Sequence, residues 1–232
     1  MRDADNIREV SALGIDMIGF IFYPKSPRYV QMISSRAGII PDYSEERIQQ
    51  TSKFAMGQLM DENEVRKSVK RPARVGVFVD DMPQNIVTRV YNYNLDYIQL
   101  HGNEPRETCE NLRATIDPDI KKGIKIIKAI SVSTAGDILK YKEYVGAVDL
   151  FLFDTKTLLA GGSGKQFDWT VLQAYDGDVP FLLSGGIGPE DAERIKEFHH
   201  PKCIGIDLNS KFEIEPGLKD VSKLKEFLEK IK

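Results

Sequence analysis

Asp149 to Trp169 reads DLFLFDTKTLLAGGSGKQFDW, and the way this stretch opens decides the fold. Asp149 to Phe153 is a short apolar run rich in aromatic residues, the pattern of a buried strand. The run ends on a carboxylate, Asp154. A glycine-rich loop follows, Gly161-Gly162-Ser163-Gly164-Lys165, and Phe167-Asp168-Trp169 reads as entry to a helix. An acid at the tip of a buried strand, beside backbone N–H groups freed by glycines, can move a proton and hold an anion. An ordinary strand-to-helix turn capped by Asp154 uses the same residues, and spacing alone does not choose between them.

Working outward, the same strand-then-helix unit recurs. Asp3 to Leu13 carries Ile7, Val10 and Leu13 at helical spacing and stops at Gly14. Strands are predicted at 16–22, 74–79, 97–100, 124–130, 149–153, 179–183 and 203–208. Helices are predicted at 83–93, 105–113, 134–144, from Asp168, at 189–198 and at 221–231. Strict alternation argues for a parallel sheet with right-handed crossovers. Polar residues at several strand tips favour a (β/α)₈ barrel over an open sheet. A barrel needs eight strands and seven are visible, so the expectation is a barrel whose first strand is missing from this chain. The chain reads as a single domain over residues 1–232, with a long helical or irregular insertion at about 31–71.

The totals exclude several partners. A net charge of −3 and a pI near 5.7 argue against nucleic acid or an anionic membrane surface. No apolar run approaches the roughly 20 residues that span a bilayer. The N-terminus has no signal-peptide core. Two cysteines, Cys109 and Cys203, have no metal-ligand spacing and read as reduced thiols of a cytoplasmic protein. No metal site is expected.

The polar candidates collect after the strands: Arg28, then Gln99 and His101, Asp154, Ser184-Gly185-Gly186, and Asp207 to Ser210. In a barrel these tips share one mouth. Gly161 to Lys165 fails the nucleotide-binding pattern, since Leu159 replaces the first glycine and Gln166 follows the lysine. Gly185-Gly186 and Asn209-Ser210 follow the last two strands, where barrels bind phosphate through backbone N–H groups; tight turns needing glycine are the alternative. His101 suits an acid–base group or a hydrogen-bonded wall residue. Arg28, stiffened by Pro27, suits a bidentate carboxylate clamp or an ordinary surface position.

GFIFYPKSPRYV, RVGVFVDD, IQLHGNEP, FDTKT…GGSGKQFDW, LLSGGIGPED and IDLNSKFEIEPGLKD closely resemble, in order, the phosphoribosylanthranilate isomerases of tryptophan biosynthesis. The resemblance implies a (β/α)₈ barrel and a cofactor-free Amadori rearrangement of a small phosphorylated substrate, in a monomer or homodimer. It places the general acid on Asp154, the clamp for the anthranilate carboxylate on Arg28, and phosphate contacts on Gly161, Gly162, Gly164, Gly185, Gly186, Asn209 and Ser210. Gln99 and His101 are assigned to substrate binding. Donation at neutral pH asks for a raised Asp154 pKa, which partial burial can supply. Asn209-Ser210-Lys211 departs from the family's Ser-Ser-Gly.

The family's first strand carries Lys-x-Cys-Gly, and Met1 falls just after where that glycine would be. The expectation is therefore a chain without the base cysteine, with impaired proton abstraction and with two strands each short of a neighbour. The competing readings are a non-catalytic phosphate-binding barrel and another sugar-phosphate barrel enzyme.

Overall fold

The computed structural model describes residues 1–31, 71–155 and 168–232. Nearly all of the insertion expected at about 31–71 and the Gly161–Lys165 loop lie outside the described residues. Seven parallel strands stand in chain order: β1 (Met17–Ile21), β2 (Ala73–Phe78), β3 (Tyr97–Leu100), β4 (Lys125–Val132), β5 (Leu150–Thr155), β6 (Phe181–Ser184) and β7 (Cys203–Ile206). This is an α/β fold in which an incomplete (β/α)₈ barrel is built from consecutive parallel neighbours. Among the described residues β1 is paired in the sheet only with β2, and β7 only with β6. The Met1 nitrogen donates to the Gly19 carbonyl on β1.

The helices start where the local chemistry dictates. α1 (Ala4–Ser11) opens on Asp3, whose carboxylate accepts the Asn6 amide at 2.8 Å. α2 (Pro83–Tyr93) has proline in its first turn and ends on Asn94 at φ 47°. α3 (Arg106–Ile116) follows Pro105. α4 (Ala135–Ile138) opens on a Thr134–Asp137 capping box, and α5 spans Ala192–Glu197. α6 (Val221–Ile231) is capped by Asp220, which accepts from the Lys223 amide at 3.0 Å.

Two connections differ from the α-helices expected. Leu139–Tyr144 and Trp169–Ala174 are 3₁₀. The reason lies in the spacing of their apolar residues. Ile138, Tyr141 and Tyr144 are buried, as are Trp169, Leu172 and Tyr175. A repeat of three stacks side chains along a 3₁₀ helix, whereas an α-helix would fan them around its axis. The helix expected at 189–198 likewise begins as a 3₁₀ turn, Pro189–Asp191. A short antiparallel hairpin, β8 (Glu213–Glu215) with β9 (Leu218–Lys219), was not expected; it turns through Gly217 at φ 89°.

The sheet divides the core in two. Val75, Ile127, Ala129, Leu150 and Leu152 pack together on its inner face, with Val77, Tyr97 and Leu182 against them. The larger cluster lies between the outer face and the helices. Burial on both faces explains the near-continuous apolar strands. Across the gap between β7 and β1, side chains take over from strand pairing. Asn6 of α1 donates through Nδ2 to the Lys219 carbonyl and accepts the Lys219 amide through Oδ1, each at 2.8 Å.

Two carboxylates outside the mouth set an acid limit on stability. Burial pushes Asp96 up, but hydrogen bonds from Arg71 and the Arg74 amide hold it below the usual carboxylate value. Burial also acts against Asp137, yet Lys140 and the Ser133 and Thr134 amides bring it down to about 2. Both groups bind protons more weakly folded than unfolded. Their stabilisation is therefore complete above the unfolded carboxyl pKa of about 4 and is lost as pH falls below it toward the folded values. The urea midpoint is expected to stay level from pH 7 to pH 5 and to drop below about pH 4; a midpoint unchanged at pH 3 would contradict this.

Candidate active site

Strand periodicity aims the catalytic candidates. Leu150 and Leu152 face the inner core, so Asp154, two residues further, shares their face at the carboxyl end of β5. Register places it level with Ser131 on β4 and Ser184 on β6. On β3 the same rule carries the inner face from Tyr97 through Gln99 to His101. The His101 Nε2 lies 3.7 Å from the Asp154 Oδ2, with their side chains 31% and 17% exposed. Gln99 Nε2 and His101 Nδ1 are hydrogen-bonded at 2.9 Å. The structure thus brings Gln99, His101 and Asp154 into one chain of polar contacts.

The loop after β6 is built against the tip of β5. Gly185 adopts φ 106° and Gly186 φ 66°. A Cβ on Gly185 would fall 2.1 Å from the Thr155 carbonyl oxygen, so no side chain is possible there. Thr155 Oγ1 donates to the Ser184 carbonyl at 2.8 Å. Ser184 Oγ in turn donates to Asp207 Oδ2 at 2.9 Å, joining the ends of β6 and β7. Asn209 and Ser210 lead into a 3₁₀ turn, Ser210–Phe212. The Asn209 side-chain oxygen accepts from Lys219 Nζ at 3.1 Å.

Arg28 sits in the loop after β1, with its guanidinium held by a carboxylate of the protein itself. Its Nε lies 3.0 and 2.8 Å from the two carboxylate oxygens of Glu213, and its Nη2 lies 2.7 Å from Oε2. The Glu213 side chain is only 4% exposed. Burial raises its pKa, but the Arg28 hydrogen bonds and the charge of Lys219 bring it below the usual value.

Both cysteines lie away from the mouth. Cys109 is buried on α3, and burial pushes its thiol up to about 11. Cys203 begins β7, at the opposite end of the sheet from Asp154, and burial raises it too. Neither can present a thiolate at the mouth at neutral pH. Among the described residues no group of three or more His, Cys, Asp or Glu is placed to hold a metal. No helix among them is long and apolar enough to cross a membrane.

The residues that sequence reasoning missed are Glu213, Lys219, Glu104 and Lys128. The first pair flanks Pro216-Gly217, a turn signal between short runs. Lys128 stands inside the apolar run IKIIKAI, where a charge demands a partner.

The family model described as N-(5'-phosphoribosyl)anthranilate isomerase matches residues 27–230. A protein of that name from Parabacteroides distasonis is 46% identical over 231 residues, covering 100% of this chain and 90% of the relative. One from Phocaeicola vulgatus is 38% identical over 232 residues, 95% of its length. Among solved structures, the phosphoribosyl anthranilate isomerase of Thermotoga maritima superposes with a TM-score of 0.68 at 28% identity, covering 100% of this chain and 95% of that one. A second solved isomerase, in complex with reduced 1-(o-carboxyphenylamino)-1-deoxyribulose 5-phosphate, gives a TM-score of 0.67 at 27% identity. With the family model matched over most of its length and relatives aligned along all of it, this chain belongs to the N-(5'-phosphoribosyl)anthranilate isomerase family.

Proposed function

We propose that the mouth of the sheet isomerises N-(5'-phosphoribosyl)anthranilate to 1-(2-carboxyphenylamino)-1-deoxyribulose 5-phosphate. The observation that carries this reading is Asp154 on the inner face of β5, partly buried and 3.7 Å from His101 Nε2. Asp154 gives a proton to the ribose ring oxygen as the C1′–O bond breaks, which opens the ring to an iminium ion. Loss of the C2′ proton then yields an enolamine, and its ketonisation gives the aminoketone. Only protons move, so no cofactor is required. The phosphate is assigned to Gly185-Gly186 and Asn209-Ser210, joined by Gly161, Gly162 and Gly164, and the anthranilate carboxylate to Arg28. The outer edge of the Arg28 guanidinium receives it, since Glu213 occupies the Nε side.

The proton-removing group is not Cys109 or Cys203, for the reasons of place and pKa given above. A polypeptide of residues 1–232 is therefore expected to bind the reduced product analogue by calorimetry while turning over about 10²–10⁴ slower than its Parabacteroides relative. Full turnover would refute this and point to another base, His101→Gln being the first variant to assay. Failure to bind the analogue would remove the functional reading itself. A cytoplasmic monomer or homodimer is the assembly we assign, with light scattering as the check; one solved relative is described as dimeric.

A further inference from the structure

The two ends assigned to the substrate are joined by charged side chains that the reaction does not use. Glu213 grips Arg28 through the Nε and Nη2 side of the guanidinium. That leaves Nη1 and one Nη2 proton directed away from Glu213. The next link is Lys219, whose Nζ lies 3.4 Å from Glu213 Oε1. The same ammonium donates to the Leu208 carbonyl at 3.1 Å, the Asn209 carbonyl at 3.0 Å and the Asn209 side-chain oxygen at 3.1 Å. Lys219 is itself fixed, because its backbone is bonded on both sides by Asn6. The side chains of Glu213 and Lys219 are 4% and 10% exposed. Buried charges of this kind hold one geometry, because any shift strands a charge away from water.

The path runs Asn209, Lys219, Glu213, Arg28. We propose that Glu213 and Lys219 are positioning residues that hold the phosphate loop and the carboxylate clamp at one separation. They thereby select a ligand carrying a phosphate at one end and a carboxylate at the other. Glu213 orients the clamp alone, whereas Lys219 orients both ends. The inference rests on the substrate assignment made above, and it adds residues that touch no reacting atom.

The two roles separate by ligand. The reduced product analogue, which carries both groups, and inorganic phosphate, which carries one, are titrated by calorimetry into the unmutated chain, Glu213→Gln and Lys219→Met, with melting curves as the folding control. Glu213→Gln is expected to weaken the analogue about tenfold, the loss of a charged hydrogen bond, and to leave phosphate binding unchanged. Lys219→Met is expected to weaken both about tenfold. Unchanged analogue affinity in a folded Glu213→Gln overturns the inference, as does equal weakening of both ligands by that variant. If Lys219→Met does not fold, Lys219→Arg takes its place; it keeps the charge but not the three-way geometry, and unchanged phosphate binding there overturns the role of Lys219. Failure of the unmutated chain to bind either ligand overturns the substrate assignment instead.

Discussion

Asp154→Asn is expected to lower the rate of phosphoribosylanthranilate turnover by about 10²–10⁴ and to leave binding of the reduced product analogue unchanged. The amide matches the carboxyl in size, and Asp154 sits on a strand held on both sides by β4 and β6. The strand pairing that places residue 154 on the inner face is therefore retained. What disappears is the transferable proton. An amide cannot donate one to the ring oxygen, so the oxygen leaves as an alkoxide, and the barrier rises by the value of general acid catalysis. Steady-state kinetics beside calorimetry separate the two effects. Equal losses in rate and affinity would show that Asp154 only binds, and a retained rate would remove it from the chemistry.

Lys128→Met is expected to cost about 3–5 kcal/mol of stability, the toll of breaking a buried ion pair by removing one partner. Lys128 and Glu104 meet at 2.7 Å with both side chains 4% exposed. The ammonium also donates to the Gly102 carbonyl at 2.7 Å and lies 5.4 Å from the centre of the Tyr144 ring. Glu104 meanwhile accepts the Asp80 and Gly102 amides at 2.8 and 3.0 Å. Methionine fills the volume but leaves the buried Glu104 carboxylate with backbone amides and no counter-charge. A double variant, Lys128→Met with Glu104→Leu, removes the stranded charge and is expected to recover part of the loss. Urea unfolding of the three proteins measures both, and a loss below about 1 kcal/mol for the single variant would contradict the pair's assigned weight. The loop that this pair secures begins at His101, so the single variant is also expected to slow turnover.

Much of this architecture was legible because parallel strands buried on both faces are written as apolar runs. DMIGFIF, RVGVFV and IKIIKAI each became a strand within a residue or two of the expected ends. Gln99, His101 and Asp154 were grouped in the sequence by their shared place at strand tips, and alternation along the observed strands turns them to one face. The 3₁₀ turns were missed because their signal is a spacing of three over only two turns, and a short α-helix gives nearly the same pattern. Glu213 and Lys219 were missed for a different reason. In the run KFEIEPGLKD, alternating charges look like a solvated surface, and their burial exists only after Asn6 and Arg28 arrive from the other end of the chain. Arg28 itself was expected to offer its guanidinium to a ligand, and sequence gave no hint that Glu213 would already hold it.

The Asn6–Lys219 contact joins residues 213 positions apart. A cross-tie of that span is among the last to form when the chain condenses and among the first to let go, since closing so large a loop costs roughly 5 kcal/mol before any contact repays it. Proteolytic trimming at either extremity would then be felt at the other. Nicking ahead of α6 would set α1 loose, and clipping α1 would undock the hairpin that carries Lys219, so that damage remote in sequence from Asn209 and Arg28 would still loosen the grip on both ends of the substrate.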